Sequence, residues 1–277
     1  MRTALTIAGS DSSGGAGVQA DLKTFAAHGV YGLSAITAVT AQNTLGIRAC
    51  DAMSAGLVTA QIEAVVSDFG VHAAKTGMLG NAAIVEAVVT SVDKLGIPLL
   101  VVDPVMVATS GELLADDGAI AAMRSQLLRR AFVVTPNIPE AEAISGISIT
   151  TDDARRDAAR RIIAFGPTAV IIKGGHFPSP DIVDLMYDGR RFVEFSTERV
   201  PGPSRHGTGC TFAAAVTALL ALGHPLSDAI LRAQRYVAGA IRAATALGHG
   251  IWPMDHTWNA ATEPPSSKDD RPPRATT

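Results

Sequence analysis

Short apolar runs alternate with amphipathic stretches of helix length along most of this amino-acid sequence. The apolar runs are rich in β-branched residues and lack polar alternation, which is typical of strands covered on both faces. The stretches between them place apolar residues at helical spacing, as with Val18, Leu22 and Phe25. The predicted strands lie at residues 4–8, 34–40, 99–103, 131–135 and 169–173. This order predicts an α/β fold, a three-layer α/β/α sandwich around a mostly parallel central sheet.

The pattern changes after residue 180. Two short apolar runs flank Asp188-Gly189, which is a hairpin signal, so we expect a short antiparallel edge within 181–196. Helical spacing resumes at 210–222 and 226–246. Residues 1–261 are predicted to form a single domain, because no linker composition interrupts them. The last residues, 262–277, are rich in proline and polar residues and are predicted to be a disordered tail.

Composition and charge argue against several classes of function. The 277 residues include 23 Lys and Arg against 26 Asp and Glu, so no basic field favours nucleic acid or an anionic membrane as a partner. No run approaches the roughly 20 apolar residues of a membrane helix, and the first apolar run is too short for a signal peptide. Two cysteines, Cys50 and Cys210, do not make a disulfide framework. We therefore expect a soluble cytoplasmic protein.

Two well-known phosphate-binding motifs are incomplete here. The segment GAGVQA at 15–20 satisfies a dinucleotide fingerprint formally, but six residues separate it from the preceding strand and no ribose-binding acid follows. The segment GVHAAKT at 70–76 has Ala74 where a P-loop needs glycine before Lys75. Any phosphate must therefore be bound by a different kind of site.

A glycine-rich segment before a predicted helix is a candidate for such a phosphate-binding site. Gly207, Thr208 and Gly209 precede a helix that we expect to begin near Cys210. The start of a helix offers unpaired N–H groups and a partial positive charge, and glycines let a ligand approach that backbone closely. The alternative is a tight turn into a buried helix, with Cys210 as a small apolar residue.

Further polar residues lie at predicted strand ends or helix starts. Asn137 and Glu140 begin a helix with Pro139 near its first position, which suits a magnesium shell held through water or merely a carboxylate facing a helix dipole. Asp103 ends a buried strand, where it would serve a magnesium-phosphate site or form a turn. Lys173 ends another strand and is a candidate phosphate ligand or an exposed lysine.

Seven segments carry the sequence motifs of this chain: 4–32, 37–44, 75–79 (KTGML), 101–111 (VVDPVMVATSG), 135–142 (TPNIPEAE), 171–176 (IIKGGH) and 206–215 (HGTGCTFAAA). Together they resemble the hydroxymethylpyrimidine/phosphomethylpyrimidine kinase family of the ribokinase-like superfamily. The resemblance implies ATP and substrate meeting over the carboxyl edge of the sheet. It also implies ATP-dependent phosphorylation of 4-amino-5-hydroxymethyl-2-methylpyrimidine and then of its monophosphate in thiamine biosynthesis, with Mg²⁺ and in a homodimer.

The resemblance implies roles for the residues already singled out. The run Gly207, Thr208 and Gly209 would cradle the transferred phosphate. Cys210 would take the place of the usual aspartate as base toward the substrate hydroxyl. A helix start lowers a thiol pKa and an incoming phosphate raises it, so the net shift stays open here. ATP would be bound by Lys173, Asn137 and Glu140, and the metal by Asp103 and Glu140 through water.

The same resemblance implies a substrate site. Gln42 would read the aminopyrimidine edge, because a carboxamide donates and accepts in one plane, and Met78 and Val105 would enclose the ring. Asp21 could equally face the dipole of the first helix. His176 and His206 are expected beside the phosphates. The full implied set is Gly9, Ala16, Asp21, Gln42, Met78 and Val105, with Cys210 beside them.

Three alternatives remain at this stage. Pyridoxal kinases share the HGTGC segment, so pyridoxal is the second candidate substrate. The ribokinase-like fold also includes a dehydratase of hydrated nicotinamide cofactors, against which AQNT and KTGML count. A sensor that binds a pyrimidine without releasing ADP would leave Asn137, Glu140 and Lys173 without a purpose.

Overall fold

The structure is a computed structural model that describes residues 1–108, 111–175, 181–202 and 205–259. The described residues contain one nine-stranded sheet in the order β3-β2-β1-β4-β5-β6-β7-β8-β9. The strands are β1 Thr3–Asp11, β2 Tyr31–Asn43, β3 Gly46–Ala52, β4 Ala73–Thr76, β5 Leu100–Val102, β6 Val133–Val134, β7 Ala169–Ile172, β8 Asp181–Tyr187 and β9 Phe192–Glu198.

Helices cover both faces of this sheet. They are α1 Gly17–Ala27, α2 Ala55–Phe69, α3 Ala82–Leu95, α4 Asp117–Ala122, α5 Ile138–Ser145, α6 Asp152–Ile163, α7 Thr208–Ala221 and α8 Leu226–Arg242. A π-turn at Met123–Leu127 and a 3₁₀ turn at Leu128–Arg130 extend α4. The predicted three-layer fold is confirmed.

The six central strands, β2, β1, β4, β5, β6 and β7, are parallel to one another. β3 pairs antiparallel with β2 at one end, and β8 and β9 pair antiparallel at the other. The predicted hairpin at Asp188-Gly189 is therefore confirmed. Gly189 has a φ of 82°, and the Asp188 carboxylate accepts the N–H groups of Arg190 and Arg191, which closes the turn.

Successive strand residues supply two separate cores. Val101 and Val133 lie in the core beneath α1, α7 and α8, whereas Val102 and Val134 lie in the core on the opposite face. This alternation follows from the two-residue period of a strand. Both faces are covered, so the central strands need no polar positions and read as continuous apolar runs.

α7 is the most enclosed helix of the described chain, since every residue of Thr211–Ala221 is buried. It packs against α1 and α8 and against β1, β4 and β5. A helix that is apolar on all sides is stable only when covered on all sides. This packing holds the start of α7 at one edge of the sheet.

Several element boundaries differ from the predicted ones. The largest difference at a helix end is in α8, which ends at Arg242 and not at 246, where the chain is half-buried or exposed. Strands β3 and β4 were not predicted. The predicted tail at 262–277 lies outside the described residues. In the part of the chain that is described, no helix has the length and apolarity that crossing a membrane requires.

Candidate active site

The predicted polar residues gather at one edge of the sheet, where the carboxyl ends of the parallel strands meet the start of α7. Asp11 ends β1, Asp103 directly follows β5, and Lys173 directly follows β7. Loops at this edge of an α/β sheet leave a crevice in which ligands bind. This edge is therefore the candidate active site.

Gly207 brings two glycine-rich loops into backbone contact, one at 14–17 between β1 and α1 and the other at 207–209 at the start of α7. It has a φ of 80°, and a Cβ at this position would lie 1.9 Å from the Gly15 carbonyl oxygen. Only glycine fits such a conformation and such a close approach. No side chain caps α7 at Gly207 in the described structure, and the Thr208 hydroxyl donates instead to the Arg205 carbonyl. The first N–H groups of α7 thus carry no side-chain cap.

Lys173 lies beside this helix start. A Cβ on Gly209 would be 3.3 Å from the Lys173 ammonium. That ammonium is 3.1 Å from Asp103 Oδ1 and 4.0 Å from Glu140 Oε2. The Lys173 side chain is 14% exposed, so the alternative of an exposed surface lysine is wrong. Burial lowers the pKa of Lys173, but the two carboxylates outweigh it and the net pKa is raised.

Asn137 and Glu140 form a reciprocal cap at the start of α5. Asn137 Oδ1 accepts the Glu140 N–H at 2.9 Å, and Glu140 Oε2 accepts the Asn137 N–H at 2.7 Å. This capping box satisfies two N–H groups that a helix start leaves free. Burial raises the pKa of Glu140 to about 7, against the opposing effect of Lys173. The predicted contacts of both residues with ATP stay predictions.

A magnesium ion would find two carboxylates here and not a complete protein cage. Among the described residues no group of three or more His, Cys, Asp or Glu side chains is arranged to hold a metal. Asp103 and Glu140 both approach the Lys173 ammonium and therefore lie close to each other. Magnesium commonly binds one or two carboxylates, several waters and substrate phosphates. The pair fits that mode of binding.

Cys210 lies in the first turn of α7 as a half-buried, neutral thiol. Burial raises its pKa to about 11, although Lys75 and a hydrogen bond with the backbone of Gly17 lower it. Asp103 and Asp21 add to the increase. The start of a helix therefore does not produce a thiolate here, because desolvation of the charged form has the larger effect.

Asp21 requires a correction. It is completely buried, and both of its carboxylate oxygens lie 2.9 Å from the Lys75 ammonium, which is also completely buried. The Thr6 hydroxyl donates to the same carboxylate at 2.6 Å. Without exposed surface, Asp21 cannot contact a substrate directly as the resemblance implied. It also lies beyond the first turn of α1, so it is no dipole partner.

The remaining implied substrate residues line the same edge. Met78 packs on Gly9, where an added Cβ would lie 3.3 Å from the methionine sulfur. Ala16 precedes α1 and its N–H donates to Asp11. Val105 follows β5 and is half-buried. The structure thus brings Gly9 and Met78 together, while the roles of all these residues toward a substrate stay predictions.

Asp11 and Lys75 also belong to this edge but carried little sequence signal, and His206 contacts Asp11. Asp11 Oδ2 lies 2.8 Å from His206 Nε2, and Gln42 Nε2 lies 3.0 Å from the same ring nitrogen. Burial raises the pKa of Asp11, but hydrogen bonds from His206 and Ser13 outweigh it and lower the pKa to about 2. His206 contacts a carboxylate and a carboxamide here, and its predicted position beside phosphates stays a prediction. His176 lies outside the described residues.

Known proteins are similar to this chain in amino-acid sequence over most of its length. A family model described as phosphomethylpyrimidine kinase matches residues 11–255. The hydroxymethylpyrimidine/phosphomethylpyrimidine kinase of Bacillus subtilis is 44% identical over 254 residues, covering 91% of this chain and 94% of that protein. This chain belongs to the phosphomethylpyrimidine kinase family. The resemblance inferred from the seven sequence segments is confirmed.

The family also occurs fused to a second enzyme. The thiamine biosynthesis bifunctional protein ThiED of Geobacter sulfurreducens is 46% identical over 252 residues, which are 91% of this chain. This phosphomethylpyrimidine kinase family member spans only 51% of that longer protein.

Solved structures show the same ribokinase-like fold. An ADP complex of Bacillus subtilis pyridoxal kinase superposes with a TM-score of 0.86 at 37% identity, covering 94% of this chain and 98% of its own. A phosphomethylpyrimidine kinase from Clostridium difficile superposes with a TM-score of 0.78 at 41% identity, covering 87% of this chain and all of its own. The fold is therefore shared by solved kinases named for two different substrates, pyridoxal and phosphomethylpyrimidine.

Proposed function

We propose that this protein transfers the terminal phosphoryl group of ATP to the hydroxymethyl group of 4-amino-5-hydroxymethyl-2-methylpyrimidine, and then phosphorylates the resulting monophosphate. These are consecutive steps of thiamine biosynthesis. The observation that carries the proposal is the uncapped, glycine-rich start of α7, with the Lys173 ammonium beside Gly209 and the Cys210 thiol in the same turn.

The phosphate is held by backbone and by one ammonium. The first N–H groups of α7 and the positive end of its dipole favour an anion, and Lys173 adds a full charge. Phosphoryl transfer passes through a loose transition state, so catalysis depends on aligning the groups and neutralising the equatorial oxygens. A rigid helix start supplies both, since Thr211–Ala221 fix α7 in the core.

Asp103 and Glu140 hold Mg²⁺ through water in this proposal. When bound, the ion neutralises charge on the phosphates of ATP. Asp103 also pairs with Lys173 at 3.1 Å, so it keeps the ammonium charged and oriented in the free protein. Glu140 positions the start of α5 through its bond with the Asn137 N–H.

The pyrimidine ring binds between Met78, Gly9 and Val105, and Gln42 reads its polar edge. Support comes from the contact of Met78 with Gly9 and from the position of Gln42 near the end of β2, at the same sheet edge. Cys210 faces the hydroxyl group, and its thiolate form receives the hydroxyl proton as the oxygen gains the phosphoryl group. Because the pKa is raised to about 11, the thiolate is the minor form at neutral pH, and a loose transition state needs the proton to leave only late in the reaction.

Pyridoxal phosphorylation is the second candidate function. It is favoured by the TM-score of 0.86 with pyridoxal kinase of Bacillus subtilis. We further propose a cytoplasmic homodimer that acts on small molecules, without nucleic-acid or membrane partners.

Parallel assays of ADP release test these functions. The protein is incubated with ATP, Mg²⁺ and either the pyrimidine alcohol, its monophosphate or pyridoxal. The proposal predicts turnover of both pyrimidines with kcat/KM above that for pyridoxal. Turnover of pyridoxal alone would replace the proposal with the second candidate, and ligand binding without ADP release would indicate a sensor.

A further inference from the structure

One ring nitrogen of His206 connects two loops of the site. His206 Nε2 lies 2.8 Å from Asp11 Oδ2 and 3.0 Å from the nearest atom of the Gln42 carboxamide. Asp11 ends β1, Gln42 lies near the end of β2, and His206 comes two residues before α7. The ring also packs on Gly15, where an added Cβ would lie 2.6 Å from His206 Cδ2. The side chain of His206, which directly precedes one glycine-rich loop, thus contacts the other glycine-rich loop and Gln42.

Asp11 fixes the proton on this nitrogen. Asp11 Oδ2 accepts the Ala16 N–H at 2.8 Å and the Ser13 hydroxyl at 3.0 Å, and Oδ1 accepts the Ser13 N–H at 2.8 Å. A carboxylate with donors on both oxygens is ionised and can only accept. The remaining partner of Oδ2, His206 Nε2, must therefore donate an N–H.

This proton determines how the Gln42 carboxamide is turned. A carboxamide rotated by 180° keeps its shape, so its hydrogen-bond partners decide which end is oxygen. An Nε2–H group cannot accept a hydrogen bond, so the end of Gln42 nearest His206 must be the oxygen. The one proton of Nε2 is then shared between Asp11 Oδ2 and this oxygen in a three-centre hydrogen bond. The contacts of the Thr40 hydroxyl independently indicate the same orientation of the Gln42 carboxamide. Its one proton goes to the Ser10 carbonyl at 2.9 Å, so it can only accept from the other end of Gln42, 3.2 Å away.

We propose that His206 and Thr40 act as positioning residues that orient the Gln42 carboxamide, with its oxygen toward His206 and its nitrogen toward Thr40. These contacts leave one acceptor site and one N–H on Gln42 in a fixed order. An aminopyrimidine edge has a ring nitrogen acceptor beside an amino donor, so it pairs with that order and not with the reverse. This specificity argument rests on the proposed function, in which Gln42 reads the pyrimidine.

The protonation of His206 is directly measurable. Long-range ¹H–¹⁵N correlation spectra of the whole protein report which ring nitrogen carries hydrogen, and His206→Gln assigns the signals by their loss. We expect a protonated Nε2 in the free protein. A bare Nε2 would overturn the proposal, because that nitrogen would then accept from the Gln42 N–H.

Substitution separates orientation from folding. His206→Gln keeps an N–H donor near the Nε2 position, whereas His206→Leu removes it. We expect His206→Leu to raise KM for the pyrimidine alcohol about 10-fold, the loss of roughly one hydrogen bond, with KM for ATP changed by less than about twofold. His206→Gln should restore KM to within about threefold of the original value, and Thr40→Val should resemble His206→Leu.

The control is His224→Leu, which alters a histidine beyond the opposite end of α7 and should change neither KM. Far-UV circular dichroism and thermal melting confirm that each variant is folded. An unchanged pyrimidine KM in folded His206→Leu, or an equal rise in both KM values, would overturn the proposal.

Gln42→Ala separates ring recognition by Gln42 from the orienting role of His206 and Thr40. If it leaves the pyrimidine KM unchanged, Gln42 does not read the ring and the proposed binding mode fails. If it raises that KM while His206→Leu and Thr40→Val have no effect, only the orienting role is wrong.

Discussion

At the scale of single residues, burial and charged neighbours set the protonation of Cys210. The thiol lies at a helix start, which by itself favours the thiolate, yet burial raises its pKa to about 11. At neutral pH the free protein therefore holds a thiol. This has a kinetic consequence, because the first acceptor is an alcohol with a proton to lose. The second acceptor is a phosphate monoester, which is mostly a dianion near neutral pH.

Cys210→Ala should therefore impair the first phosphorylation more than the second. We expect kcat/KM to fall about 100-fold with the alcohol and less than about 10-fold with the monophosphate, since general base catalysis contributes only to the first. Separate initial-rate assays with each acceptor provide the measurement.

The pH dependence gives an internal control for this role. Because the pKa is raised to about 11, the thiolate fraction increases about tenfold per pH unit between pH 7 and 9. The rate of the first transfer should rise over this range in the native protein and stay level in Cys210→Ala. Equal losses in both transfers, without a change in pH dependence, would show that Cys210 is only structural.

The buried pair of Asp21 and Lys75 leads to a prediction about stability. Removing one partner leaves an uncompensated buried charge, so Lys75→Met should lower the free energy of unfolding by about 3–5 kcal/mol. The double variant Asp21→Asn with Lys75→Met should lose less than Lys75→Met alone, because no charge remains unpaired.

Urea denaturation measures these differences, with Lys94→Met as the matched control. Lys94 pairs with Glu63 at 2.8 Å on the surface, where such a pair contributes at most about 1 kcal/mol. If Lys75→Met proved no more destabilising than Lys94→Met, the buried charges would not depend on each other.

The sequence pattern identified some of these site residues and missed others, and the difference has a physical reason. Cys210 and Lys173 stood out because each adjoins glycines at the end of an element. Lys75 and Asp21 are 54 positions apart, and Asp11 and His206 are 195 apart. Such pairs form only when the sheet brings strands and helices together, so their spacing in the sequence carries no signal.

At the scale of elements, the start of α7 depends on two glycines for different reasons. Gly207 has a positive φ and meets the Gly15 carbonyl, whereas a Cβ on Gly209 would meet only the flexible end of Lys173. Gly207→Ala should therefore lower both activity and stability, and Gly209→Ala should lower activity while the protein stays folded.

Gly223→Ala is the control for backbone strain. Gly223 has a φ of 91° and nothing within 4 Å of an added Cβ, so its substitution adds strain of roughly 1–3 kcal/mol without a collision. Thermal melting should show a larger loss for Gly207→Ala than for Gly223→Ala. Equal losses would mean that contact between the two loops is unimportant.

Predicted and observed elements agree where the pattern is purely apolar. β4 escaped prediction because Lys75 interrupts its run Ala73–Thr76, and that lysine is buried only because Asp21 meets it. β3 escaped because it is an edge strand with exposed residues and no apolar periodicity. Elements that rely on a distant partner, or on one neighbouring strand, are the ones that local patterning does not reveal.

At the scale of the whole molecule, the edge of the sheet at β3 bears on the predicted homodimer. Leu113 is 82% exposed and Leu45 is 65% exposed. The two regions are adjacent, because the Ile47 N–H donates to Glu112 Oε1 at 3.5 Å. Exposed apolar side chains that cluster at one edge are typical of protein interfaces.

Light scattering after gel filtration tests the homodimer. The native chain of 28.6 kDa should elute with about twice that mass, and Leu113→Asp with Leu45→Asp should shift it toward a single chain. The control is Leu231→Asp on α8, another exposed leucine, which should not change the mass. A native protein of one-chain mass would contradict the prediction.

The most direct test of the whole account is a crystal structure with ADP, Mg²⁺, aluminium fluoride and the pyrimidine alcohol. The account predicts that the fluoride group, which mimics the transferred phosphoryl group, lies within about 2.7–3.2 Å of the Gly209 or Cys210 N–H and of the Lys173 ammonium. A fluoride group bound elsewhere, out of reach of the start of α7, would contradict it.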